Sequence, residues 1–408
     1  MNTTAVTPSS PPDEALPGPR KALLFADCMV LGLTAWGGFM ALLAQAQTRF
    51  VKQRQWLSEQ DFGDLIALVV MLPGPQAVNA LAVMGYRLAG WGGFAAALAG
   101  IVLPGFVITL MLWGGYALLA QHPDLQRALM AGVLPPLAMI LGQAAFNQAK
   151  KATPGLKERG LAVVCGVLLL AVPYWGAAIY VLAMAALVAL FTWPAPKVVA
   201  PEAAQRRLHP LALALCIAPA GLALFQVVPA LLPEVLLAKV GLVFGGLSTT
   251  LFGGGLVMVP MLEGLIVDHL GWLDHASFSA GLAASQVTPG PILSIATFTG
   301  MQVAGLAGAL IATVGIYLPT AVIAVGVNSM TEQLKGSRRF QHAMLGVRSA
   351  VVGLIAGGAI SLLLKLPGHG LSWQGGLMVA VAWLLVWRLK QPPYLTLPVG
   401  VLLAWLML

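Results

Sequence analysis

Two short stretches set proline, glycine and hydrogen-bonding side chains inside otherwise apolar sequence. They are Met71-Leu72-Pro73-Gly74-Pro75-Gln76 and Val287-Thr288-Pro289-Gly290-Pro291-Ile292. Proline fixes φ and lacks an N–H, so neither stretch continues a regular helix. Each is expected to break a membrane helix into two half-helices. Pro75 and Pro291 suit the first position of the second half-helix, where the missing N–H costs nothing. The amides just downstream then lack acceptors, and with the helix dipole they form a site for an anion. Gly74 and Gly290 have no Cβ, so the backbone can approach a ligand closely. Gln76 and Asn79 near the first motif, and Ser285, Gln286 and Thr288 near the second, add hydrogen-bonding groups. Two further glycine pairs, Gly37-Gly38 and Gly253-Gly254, offer a second surface for close approach. They are flanked by Thr34 in one case and by Ser248, Thr249 and Thr250 in the other. One such motif alone would mean only a kinked or tightly packed helix. Two in matched positions favour a binding site.

Charges within or beside apolar segments are functional candidates. Asp27, Asp64 and Glu263 are the candidate proton-coupling carboxylates. Each also lies close enough to a segment end to reach headgroup water. Arg87 follows the first motif by one half-helix, and Gln302 stands at its counterpart, so any clamping of an anion by Arg87 would be asymmetric. Arg348 and Lys365 read as interfacial anchors. The six His residues show no metal-ligand spacing, and no catalytic set or nucleotide fingerprint is present. No enzyme activity, metal or cofactor is therefore expected. Cys28, Cys165 and Cys216 read as packing residues.

The elements that must position these groups are membrane helices. Of 408 residues, 59% are hydrophobic and 9% charged, against about 25% charged in a soluble domain. The net charge of +8 lies mostly between apolar runs, which suits topology and anionic lipid rather than nucleic acid. The fold class is an all-α polytopic membrane protein. Residues 1–20 read as a disordered cytoplasmic tail, 21–195 as a first transporter half, 196–208 as a basic linker and 209–408 as a second half.

The halves repeat. An offset of 216 maps Gly37-Gly38 onto Gly253-Gly254, Trp56-Leu57 onto Trp272-Leu273 and Pro73-Gly74-Pro75 onto Pro289-Gly290-Pro291. After a one-residue gap the offset is 215, which maps Ala89-Gly90 onto Ala304-Gly305 and Pro104 onto Pro319. The second half has an additional leading segment, Leu211–Leu232, and three helices follow the repeat, near Arg348–Lys365, Leu371–Trp387 and Tyr394–Leu406. Matched loops differ in charge. Arg49–Arg54 is basic while Leu265–His275 holds Asp268 and Asp274. The loop at Gln121–Arg127 has one basic residue while its counterpart holds Lys335, Arg338 and Arg339. Cytoplasmic loops collect Lys and Arg, so the halves are expected to be inverted about an axis in the membrane plane. Parity then requires that either the Gly-Gly or the Pro-Gly-Pro segment of each half be re-entrant.

Trp36-Gly37-Gly38, Trp56-Leu57-Ser58-Glu59, Leu72-Pro73-Gly74-Pro75-Gln76 and Met84-Gly85-Tyr86-Arg87-Leu88-Ala89-Gly90 together resemble the signature of the chromate ion transporter family, in its long two-domain form. The resemblance covers about residues 22–120 and 238–330. It implies a secondary transporter of the bacterial inner membrane that exports the chromate dianion, driven by an ion gradient with H+ as the coupling ion taken here. Sulfate, similar in size and shape, is an alternative cargo, and a homodimer is an open assembly state. The family tends to follow its Gly-Gly with Pro and then Ala-His, whereas this chain has Gly37-Gly38-Phe39-Met40-Ala41-Leu42. The remaining alternatives are another anion carrier, an importer among them, or a membrane scaffold that transports nothing.

Overall fold

A computed structural model of the chain describes residues 21–35, 38–70, 72–119, 122–172, 177–192, 235–250, 255, 258–328, 338–366 and 373–407. The expected tail and linker, the leading segment 211–232, Cys216, Gly37, Gly253 and Gly254 lie outside the described residues. Among those residues all regular structure is helical.

The first half runs α1 (Lys21–Thr34), α2 (Gly38–Ala46, extended by a π turn at Gln47–Gln53), α3 (Glu59–Val70), α4 (Gln76–Leu119), α5 (Pro123–Ala152), α6 (Leu156–Ala171) and α7 (Ala177–Thr192). The second runs α8 (Leu236–Thr250), α9 (Met258–Glu263, with a π turn at Gly264–His269), α10 (His275–Val287), a 3-10 turn at Ile292–Ser294 and α11 (Ile295–Asn328). Then come α12 (Arg338–Leu364), α13 (Trp373–Trp383, with a π turn at Leu384–Arg388) and α14 (Pro393–Met407). The element order of the two halves corresponds throughout. Among the described residues α12, α13 and α14 follow α11, as α5, α6 and α7 follow α4.

Neither α4 nor α11 is one straight rod. Ala89 (φ −148°) and Gly90 (φ +61°) interrupt α4, and Ala304 (φ −143°) and Gly305 (φ +61°) interrupt α11. The positive φ is why glycine stands at both elbows. Past each elbow the chain doubles back. A Cβ on Gly85 would strike the Gly93 carbonyl and Ala97, and one on Gly300 would strike the Gly308 carbonyl and Ala312. Thr297 and Thr313 share a hydroxyl hydrogen bond of 2.7 Å across the arms of α11. Each of these long helices is therefore a hairpin with glycines in its seam.

Helix α1 lies parallel to the second arm of α4. A Cβ on Gly100 would meet Phe25 and Cys28, one on Gly32 would lie 2.9 Å from the Ile101 carbonyl, and Gly92 abuts Lys21. Lys21 and the elbow are thus at one end of the half. Arg49 and Arg54, beyond α2, reach back to Asp27 on α1, so α1 and α2 fold back on each other. α3 begins beside them, where Trp56 N–H donates to Phe50, and the first arm of α4 ends at the elbow. The Pro-Gly-Pro turn is therefore the tip of a second fold-back. Both segments return to the end they came from, where the sequence required only one of them to.

Length agrees. α3 and the first arm of α4 reach about 20 Å each at 1.5 Å per residue, short of a hydrocarbon core of about 30 Å, whereas the arm from Trp91 to Leu119 reaches about 43 Å. Among the described residues four stretches have the length and apolarity to cross a membrane: Gln76–Leu119, Arg127–Ala152, Ile292–Asn328 and Gln341–Leu364. In the first and third it is the second arm that is long enough. Leu306, Leu310, Val314, Leu318 and Val322 line one exposed face of α11, an i, i+4 stripe that suits lipid.

Candidate functional site

Both Pro-Gly-Pro turns are buried where the halves meet. Gly74 (φ +101°) and Gly290 (φ +95°) hold conformations that favour glycine. Gly74 packs on the Thr320 side chain of α11, with no room for a Cβ. Gly290 donates its N–H to the Ala35 carbonyl at the end of α1, at 3.0 Å. A Cβ there would sit 3.0 Å from the Gly32 carbonyl. Gly105, on the second arm of α4, faces Thr288 and Pro289. Each turn thus rests on the opposite half.

The prolines sit one residue earlier than expected. Asn79 N–H donates to the Pro75 carbonyl at 2.9 Å, which makes Pro75 the cap and Gln76 the first helical residue. Pro291, with φ −73° and ψ 129°, caps the 3-10 turn in the same way. A cap stays extended while its carbonyl already accepts the first helical bond. The amides of α4 that lack a helical acceptor are those of Gln76, Ala77 and Val78.

Most of the expected side-chain donors are engaged within the protein. Asn79 Nδ2 donates to the Pro73 carbonyl at 3.1 Å, and Thr320 Oγ1 donates to Asn79 Oδ1 at 3.3 Å. Gln76 Nε2 lies 3.5 Å from the Val70 carbonyl. Ser285 and Thr288 return their hydroxyls to Leu282 and Ala284, each at 2.7 Å. Gln286 is buried beside them. Gly38 opens α2, while the other three residues of the Gly-Gly pairs lie outside the described residues. The structure thus joins Pro73, Gly74, Pro75, Gln76 and Asn79 with Thr320. It joins Ser285, Thr288, Pro289, Gly290 and Pro291 with Gly32, Ala35 and Gly105. Thr320 was missed in the sequence, although Pro104-Gly105 against Pro319-Thr320 is a visible break in the repeat.

Asp27 and Glu263 are buried and charge-paired. Asp27 accepts from Arg49 Nε at 3.0 Å and from Arg54 Nε at 2.8 Å. Glu263 meets Lys365 Nζ at 2.5 Å and His275 Nδ1 at 3.1 Å, and Asp268 lies 3.8 Å from His275 Nε2. Its hydrogen bond to Glu263 raises the His275 pKa above the usual histidine value. Asp64 is half-buried on α3. Lys365 is thus Glu263's partner rather than a simple anchor, and Arg348 keeps a buried Nε with no hydrogen-bond partner. These partners are far apart in sequence, and spacing did not reveal them.

Exposed Arg87 donates from Nε to Asn328 Oδ1 at 3.0 Å. Trp113 Nε1 donates to Gln302 Oε1 at 2.7 Å. Gln302 is the counterpart of Arg87, and Asn328 that of Trp113. The two contacts are therefore one contact with the halves exchanged, and in both the elbow end of one long helix meets the far end of the other.

A family model described as chromate transporter matches residues 22–231 and 238–405. The chain is 28% identical to a chromate transport protein of Pseudomonas aeruginosa, over 99% of this chain and 95% of that protein. It is 28% identical to a probable chromate transport protein of Synechococcus elongatus, over 89% of this chain and 90% of that one. A chromate transport protein of Cupriavidus metallidurans is 28% identical over 81% of this chain and 80% of its own length. No solved structure matches.

Proposed function

This chain belongs to the chromate transporter family, and we propose that it is a secondary transporter exporting chromate across the bacterial inner membrane. The observation that carries the proposal is the burial of both Pro-Gly-Pro turns at the junction of the halves, each in contact with the other half. The anion binds between the turns, at the amides of Gln76, Ala77 and Val78 and at the start of the 3-10 turn after Pro291. Backbone donors and a helix dipole suit a dianion without a buried cation.

The halves are inverted repeats. Exchange of Arg87 with Gln302 and of Asn328 with Trp113 in equivalent contacts is the signature of a two-fold relation. α4 and α11 run antiparallel through these contacts, so an axis between two spanning arms lies in the membrane plane. Rocking of one half against the other then alternates access to the site.

H+ is the coupling ion, and Glu263 with His275 is the coupling pair. Asp27 is held by two guanidinium groups, which keep their protons, so it anchors the α1–α2 fold-back. His275 is half exposed, and its hydrogen bond to Glu263 raises its pKa above the usual histidine value. Flux measured in proteoliposomes for chromate, sulfate and molybdate, under imposed pH gradients, tests this reading. Chromate flux that responds to the gradient is expected. No flux of any of the three anions overturns it, and flux of sulfate alone reassigns the cargo.

A further inference from the structure

The two exchange-related seams between α4 and α11 differ in their buried polar groups. In the seam of the first turn, the Thr320 hydroxyl bonds Asn79, and Asn79 bonds Pro73. In the other, Thr109 Oγ1, Ser294 Oγ and Thr299 Oγ1 are buried with no hydrogen-bond partner among the described residues. Buried hydroxyls are nearly always bonded, and those that are not call for an explanation such as a water or an ion.

These three groups lie on elements that meet at this seam. Gly105 faces Thr288 and Pro289, and Trp113 bonds Gln302. Thr109 stands one turn from each, on the same face of α4. Thr299 precedes Gln302 by about one turn, and Ser294 ends the 3-10 turn that touches α4. Thr109 is 0% exposed, Thr299 0% and Ser294 3%. At the exchanged positions of Thr109 and Thr299 stand Ala324 and Met84, so the repeat does not demand these hydroxyls.

We infer that Thr109, Ser294 and Thr299 form a hydroxyl subsite for a tetrahedral oxyanion, on the second-turn side of the seam only. The inference rests on the transporter reading above and adds side-chain donors to one side of that site. The three O–H groups donate to anion oxygens when the seam parts. On the first-turn side the Thr320 and Asn79 side chains are bonded to each other and to Pro73, which leaves the backbone amides as the donors there.

The test uses the full chain in proteoliposomes, with chromate as the probe. Thr109→Val, Thr299→Val and Ser294→Ala remove one hydroxyl each with little change in shape. Loss of one hydrogen bond to a charged ligand predicts a KM for chromate higher by about ten-fold in each variant. Thermal midpoints in detergent stay level or rise, because an unpaired buried group has been removed. Thr297→Val, whose hydroxyl is bonded to Thr313, lowers the midpoint and leaves KM alone. Thr109→Ser keeps the hydroxyl and sheds the methyl, and it retains the wild-type KM. Wild-type KM in the three deletion variants overturns the inference, as does a Thr109→Ser as impaired as Thr109→Val. A wild type that moves no chromate ends the transporter reading itself.

Discussion

Gly74→Ala isolates the contact between the halves. At φ +101° an alanine costs about 1–2 kcal/mol from backbone strain. Its Cβ also meets the Thr320 hydroxyl and methyl, and overpacking of this kind costs roughly 1–3 kcal/mol. The sum is about 2–5 kcal/mol. Gly90→Ala is the control, since φ is +61° and nothing lies within 4 Å of its Cβ. It carries only the strain, about 1–2 kcal/mol. Alanine at position 320 would keep the Cβ that lies 2.5 Å from the added one, so Thr320→Gly, combined with Gly74→Ala, is the change that relieves the collision but not the strain. A double-mutant cycle on unfolding in detergent should therefore give a coupling of about 1–3 kcal/mol. The same cycle with Gly90→Ala should give none. Equal losses for Gly74→Ala and Gly90→Ala, or no relief from Thr320→Gly, would refute a first turn wedged against α11. Chromate flux should follow the same ranking, with Gly74→Leu inactive.

Asp27→Asn leaves Arg49 and Arg54 without their counter-charge and should lower stability by about 1–3 kcal/mol. Arg49→Gln should cost less because Arg54 remains, and equal thermal midpoints for both variants and wild type would show the cluster to be idle. Gly300→Ala drives a methyl into the Gly308 carbonyl, so the α11 hairpin should splay and yield of folded protein should fall, while Gly326→Ala, with nothing within 4 Å, should express normally. The His275 pKa is raised from 6.5 by its hydrogen bond to Glu263, with Lys365 opposing and Asp268 assisting. A raised pKa means stabilisation that is complete below the unfolded value, about 6.5, and lost as pH climbs through the folded one. The thermal midpoint of wild type minus that of His275→Gln should therefore be largest below the unfolded value of about 6.5 and shrink as pH rises above it. A difference that does not change with pH would remove His275 from the coupling pair.

The sequence alone determined the class of protein and the location of its interruptions. Apolar runs must enter lipid, and a proline without an N–H must end a helix wherever it stands. The repeat was legible where backbone geometry restricts the residue type, as at Gly74 and Gly290 or Gly90 and Gly305, and at a few large side chains such as Trp56 and Trp272. It faded over α12, α13 and α14, because a helix facing lipid needs apolar side chains but no particular ones. The caps fell one residue from the expected place, since helix start is decided by which carbonyl accepts the first bond. What only the tertiary structure decided is what meets what. Asn79 and Thr320 are 241 positions apart, and Glu263 reaches a lysine in the turn after α12. Composition also could not tell a fold-back from a crossing, because both bury the same apolar residues. The direction was decided by contacts between distant segments, with Lys21 beside the elbow and Arg54 on Asp27. Such contacts depend on the packing of several helices at once, and no local pattern encodes them.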